Sequence, residues 1–204
     1  MGGVEQEPGR GEVTARASSP YTLANGLTAL RIVLAPVFLV LYVEGDRLRA
    51  LGAFAAAAAT DVLDGLVARA LRQHTRLGAL LDPIADKFLA ACALIALAAT
   101  GRLPPWLPVL VVSRDLAQLA GAAILRSTHH VVPVAPTRIG KYATVAIAAT
   151  VVVALAGDFG AYPSGAGQPF VVAFALLAAE CVAISFAQYF LFFVRAVRSR
   201  SSAA

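Results

Sequence analysis

Residues 60–87 read TDVLDGLVARALRQHTRLGALLDPIADK, and this stretch decides the fold. Asp61 and Asp64 stand three positions apart and Asp82 and Asp86 four, so each pair occupies one face of a helix. Gly65 and Ala68 extend the first stripe and Gly78 the second. The nine residues between the two helices, ARALRQHTR, are basic and allow only an antiparallel hairpin. Such a hairpin brings the two acidic stripes together.

Outside this stretch the chain is strongly apolar. Of 204 residues 59% are hydrophobic and 14% charged, against about 45–50% and about 25% in soluble domains. The mean hydropathy is +0.74. A membrane is the solvent that explains this composition. Six apolar segments span approximately 23–43, 49–67, 79–100, 104–126, 140–157 and 169–194, with Pro36 expected to kink the first. The expected fold is all-α: an integral membrane bundle of six transmembrane helices filling 23–204, preceded by a polar tail over 1–22. That tail lacks the apolar core of a signal peptide. Cys92 and Cys181 sit in apolar runs, which excludes a disulfide-stapled fold.

With the N-terminus inside, eleven cations fall on cytoplasmic segments and three, Arg47, Arg49 and Arg102, on the other side. This bias predicts cytoplasmic N- and C-termini in a multi-pass protein of the cell membrane. The net charge of +5 is therefore a topology signal, helped by attraction to anionic membrane lipids, and excludes nucleic acid as the expected partner.

Six of the twelve carboxylates lie in or beside the apolar segments: Asp61, Asp64, Asp82, Asp86, Asp115 and Glu180. Each Asp near a span centre costs about 2.5–3.5 kcal/mol on insertion scales. Four of them within 26 residues require compensation. Four converging carboxylates form an all-oxygen site for hard cations, Mg2+ or Mn2+, and two such ions balance the charge. Paired metals stabilise the attacking and leaving oxygens of phosphoryl chemistry. Arg69, Lys87, Arg31 and Arg114 complete a cationic ring suited to a metal-bound diphosphate, and the hairpin orients the site toward the cytoplasm. Gly65, Ala68 and Gly78 leave room for a flat, bulky group.

The pattern D-x2-D-G-x2-A-R-x8-G-x3-D-x3-D, carried by Asp61, Asp64, Gly65, Ala68, Arg69, Gly78, Asp82 and Asp86, resembles the signature of the CDP-alcohol phosphatidyltransferase family. The segment LANGLTALRIVLAPVFLVLY, with Asn25, Thr28 and Arg31, looks like that family's first span. The resemblance implies transfer of a phosphatidyl group from CDP-diacylglycerol to an alcohol with release of CMP. It implies metal binding by Asp61, Asp64, Asp82 and Asp86, with Asp86 also the general base. It implies CDP binding by Gly65, Ala68, Arg69, Gly78, Asn25, Thr28 and Arg31. A homodimer packed through membrane helices is a further implication.

DPIADK, the run Ser113-Arg114-Asp115 and TRIGKYAT look most like the phosphatidylglycerophosphate synthase and bacterial cardiolipin synthase branches. The expected acceptor is glycerol 3-phosphate, giving phosphatidylglycerophosphate, with phosphatidylglycerol and cardiolipin synthesis as the alternative; Arg114, Arg138 and Lys141 would hold the acceptor's phosphate. A structural Arg114–Asp115 ion pair and simple positive-inside roles for Arg138 and Lys141 stand beside that reading. His129 and His130 are expected to be solvated loop residues. Glu180 is expected to hydrogen-bond across helices, and Phe186, Tyr189, Phe190, Phe192 and Phe193 to form an interfacial aromatic belt. The rival from another class is a carboxylate-coupled transporter, which calls for internal repeats or broken helices that the sequence does not show.

Overall fold

The computed structural model describes residues 23–71, 76–127, 138–162 and 167–201, and it is helical. Six helices follow in order: α1 (Leu23–Val43), α2 (Arg47–Leu71), α3 (Arg76–Ala99), α4 (Trp106–Ser127), α5 (Arg138–Asp158) and α6 (Gly167–Ser201). Each expected apolar segment is one of them. α6 continues past residue 194 to Ser201. His129 and His130 lie outside the described residues, as does the tail over 1–22.

Three helical stretches, Asn25–Val43, Ile139–Asp158 and Gly167–Leu191, are long and apolar enough to cross a membrane. The six expected spans are thus six helices of which three meet that measure among the described residues. α2 carries Asp61, Asp64 and Arg69, α3 carries Asp82, Asp86 and Lys87, and α4 carries Arg114 and Asp115.

α1 packs against both α2 and α3, α5 against α6, and α4 against α3 and α6. The small buried residues Ala50 and Ala57 let α2 approach α1 closely. Phe38 of α1 stacks obliquely on Phe54 of α2, with ring centroids 5.3 Å apart. On α6 the buried stripe Val171, Ala175, Ala178, Val182, Ser185 recurs at helical spacing. Glu180 falls on the opposite face and is exposed. It makes no hydrogen bond to another described side chain.

α1 and α3 end in the same way. Gly45 and Gly101 have φ of 92° and 73°, in the left-handed region open to glycine. Asp46 N–H bonds Leu41 C=O and Arg102 N–H bonds Leu97 C=O, closing the Schellman pattern in each case. Asp46 then caps α2 by accepting from Arg49 N–H. At this end of the bundle Asp158 is ion-paired with Arg102 and accepts from the Tyr42 hydroxyl, tying α5 to α1 and to the α3–α4 turn. The opposite end holds the first turns of α1 and α3 and the acidic residues.

Candidate active site

Thr28 and Arg31 lie one helical turn apart on α1 and are fully buried. Because α1 packs on both α2 and α3, this face meets both acidic stripes. Thr28 Oγ1 donates to Asp82 Oδ1 at 2.6 Å. Arg31 Nη2 lies 3.1 Å from Asp61 Oδ1, and Nη1 of the same guanidinium is paired with Asp86. A buried Arg is tolerable when its charge is met, and the planar fork can serve two carboxylates at once. The hairpin reasoning foresaw that the stripes converge. What joins them is a third helix, 55 residues upstream of Asp86 in the case of Arg31.

Asp61 and Asp86, each 54% exposed, open onto a cavity of about 440 Å³. Lys87, Arg114, Asp115 and Thr144 also line it, and its apolar wall includes Phe54, Leu89, Ala93, Val111, Ile147 and Val151. Asp115 receives two cations, Lys87 Nζ at 3.0 Å and Arg114 Nη1 at 2.7 Å. Arg114 Nη2 donates to Ser185 Oγ of α6 at 2.9 Å. The buried Nε of Arg114 has no hydrogen-bond partner among the described residues. Two cations on one carboxylate leave this wall positive, whereas Asp61 and Asp86 around one guanidinium leave the other negative. The cavity is therefore bipolar, with an apolar side between its charged walls.

Lys87 follows Asp86 in sequence but is not paired with it. Its ammonium is on Asp115, and the cation on Asp86 is Arg31. Lys141 is exposed and is not among the lining residues; Thr144, one turn further along α5, is. Asn25 is partly buried near the start of α1. Asp64, Gly65, Ala68 and Arg69 sit on the last turns of α2, Gly78 on the first turn of α3, and Arg138 at the start of α5. The side chains of these six lie outside the described residues. Sequence reasoning missed Ser185 altogether. Its one legible signal is a hydroxyl on the apolar stripe of α6.

The α4–α6 contact that positions Arg114 depends on a glycine. A Cβ at Gly121 would lie 2.7 Å from the Tyr189 hydroxyl and 2.9 Å from its ring edge. That hydroxyl donates to the Gln118 carbonyl at 3.2 Å. Tyr189 is therefore a packing residue, which corrects its expected place in an interfacial belt. Phe186 and Phe190 are exposed in keeping with a belt. Gly121→Ala is expected to destabilise the protein by about 1–3 kcal/mol, seen as a lower thermal midpoint in detergent. In a Tyr189→Ala background the same change should cost little, and an undiminished cost there would contradict the contact.

Residues 21–193 match the sequence profile of the CDP-alcohol phosphatidyltransferase family. The chain belongs to that family. It is similar to a probable phosphatidylglycerophosphate synthase of Mycobacterium tuberculosis, 43% identical over 129 residues, covering 60% of this chain and 59% of the relative. It is also similar to a human cardiolipin synthase (CMP-forming), 38% identical over 125 residues, with 61% and 40% covered. A Bacillus subtilis CDP-diacylglycerol–glycerol-3-phosphate 3-phosphatidyltransferase is 33% identical over 139 residues, with 61% and 71% covered. The chain spans less than two thirds of the length of the mycobacterial and human relatives.

Phosphatidyltransferases of this family imply a divalent metal. Among the described residues no three Asp, Glu, His or Cys side chains form a metal cluster. The chemistry of the donor set nevertheless fits a hard cation. Asp61, Asp82 and Asp86 offer oxygen alone, and two of them open half-exposed onto one cavity.

Proposed function

We propose that this phosphatidyltransferase moves the phosphatidyl group of CDP-diacylglycerol to glycerol 3-phosphate, releasing CMP and forming phosphatidylglycerophosphate. The observation that carries the reading is the bipolar cavity, with Asp61 and Asp86 on one wall and Lys87 and Arg114 on the other. Similarity to proteins named for that reaction supports it.

Asp61, Asp64, Asp82 and Asp86 would hold two ions, Mg2+ or Mn2+. Bound there, the metal supplies neutralisation of the diphosphate and of charge on the leaving group. Thr28 fixes the Asp82 carboxylate, and Arg31 offers a cation to the diphosphate once it leaves the aspartates. Gly65, Ala68, Arg69, Gly78 and Asn25 would surround the CDP moiety. Asp86 takes the proton of the acceptor hydroxyl. The freed oxygen attacks the phosphatidyl phosphorus, and the bond from that phosphorus to the CMP oxygen breaks with its electron pair leaving on CMP. Arg114 and Lys87 hold the acceptor's phosphate, and Arg138 and Lys141 draw it toward the mouth. The apolar wall keeps bulk water from competing for the phosphorus.

The enzyme would be a multi-pass protein of the cell membrane with cytoplasmic termini, its site facing the cytoplasm, and two copies would pair through membrane helices. The eleven-to-three cation bias supports that orientation. So does the separation of the acidic end from the end bearing Arg102 and Asp158.

The test is CMP release by purified protein given CDP-diacylglycerol, Mg2+ or Mn2+, and either glycerol 3-phosphate or phosphatidylglycerol. Release with glycerol 3-phosphate and a product of phosphatidylglycerophosphate mass is the expected result. The apolar wall favours a second reading, since Leu89, Ala93 and Val151 suit the acyl chains of a lipid acceptor. Turnover with phosphatidylglycerol alone, giving cardiolipin, would establish that reading instead. No CMP with either acceptor would refute both.

A further inference from the structure

We infer that Arg31 makes divalent-cation binding and diphosphate binding cooperate: it holds Asp61 and Asp86 until a phosphate draws its guanidinium away. The inference rests on the proposed cation site at these aspartates. Arg31 is fully buried, yet the two carboxylates it joins come from different helices and are half exposed on the cavity side. The buried cation therefore sits behind the acidic pair, and the pair faces the space a ligand enters. A dication gathered by the same oxygens would lie beside a guanidinium already hydrogen-bonded to them.

Two effects of Arg31 on cation affinity oppose each other. Its hydrogen bonds orient the carboxylates, which favours binding. Its charge repels the incoming dication, which disfavours it. At hydrogen-bond distances charge–charge interaction exceeds the net worth of two orienting hydrogen bonds, so repulsion wins. A diphosphate reverses the sign, because it gives the guanidinium a new anionic partner and leaves the aspartate oxygens to the metal. Each ligand then tightens the other by the same factor, as linkage requires. With a plain structural staple between α2 and α3, replacing Arg31 would leave the effect of the diphosphate on cation binding unchanged.

The experiment measures Mn2+ binding by the electron paramagnetic resonance of free Mn2+, using the full chain in nanodiscs. It is run with and without saturating CDP, and Mn2+–CDP formation in buffer is measured separately and subtracted. For the native protein, CDP is expected to tighten Mn2+ binding at least about tenfold. Arg31→Gln is expected to bind Mn2+ alone at least about tenfold more tightly than the native protein, with a further gain from CDP at least about threefold smaller than the native one. Arg31→Lys keeps the charge without the fork, so both of its values should fall between. The inference is overturned if Arg31→Gln binds Mn2+ no more tightly, or keeps the native response to CDP. Should Arg31→Gln fail to fold, as judged by gel filtration, Arg31→Lys binding Mn2+ no more tightly than the native protein overturns it equally. Native protein that binds no Mn2+ under either condition would remove the cation site itself, and this inference with it. Binding by the native protein that Asp82→Asn abolishes keeps the two ideas distinct.

Discussion

Asp61→Asn and Asp82→Asn are each expected to reduce CMP release by at least about a thousandfold. Both proteins should still insert and elute as the native protein does. Asn matches Asp in shape, so the helices need not move. The amide oxygen at position 82 can still accept from Thr28, and Arg31 keeps Asp86 when position 61 is neutral. What is lost is one negative charge in a donor set that must balance cations. An effect confined to turnover separates this role from a fold-stabilising polar cluster. Membrane fractionation and gel filtration check insertion, and the CMP assay checks chemistry. Substantial turnover by either variant would contradict a metal site at these residues.

Arg114→Ala is expected to raise the KM for the acceptor by about 10–100-fold, the worth of a charge-assisted hydrogen bond of about 1.5–3 kcal/mol. The KM for CDP-diacylglycerol should change by less than about threefold. The variant is informative because Asp115 is not orphaned. Lys87 remains 3.0 Å from it, so no uncompensated carboxylate is left in the bundle. Ser185 loses one donor and keeps its own hydroxyl to reorient. Steady-state kinetics with each substrate varied in turn decides the matter. An equal rise in both KM values would favour a structural Arg114–Asp115 pair over an acceptor-phosphate role.

Much of the fold could be read directly. The apolar segments and the three-and-four spacing of the aspartates are short-range patterns, and each shows in a single helix's periodicity. The pairing of the charges was less accessible. Lys87 adjoins Asp86, but neighbours in a helix point about 100° apart, and the packing of α3 against α4 turns Lys87 toward Asp115. Tyr189 was misjudged for a related reason. Which face of α6 meets α4 depends on the buried stripe and on the space left by Gly121.

The sequence by itself determined the helices, their acidic stripes and the membrane as solvent, because these follow from local periodicity and from the cost of charge in hydrocarbon. Only the tertiary structure decided that α1 supplies the counter-charge and α6 a hydroxyl to the cavity. Arg31 reaches Asp86 across 55 positions and Arg114 reaches Ser185 across 71. Contacts at such separations depend on how helices rotate and cross, and that choice leaves no periodic mark on either segment alone.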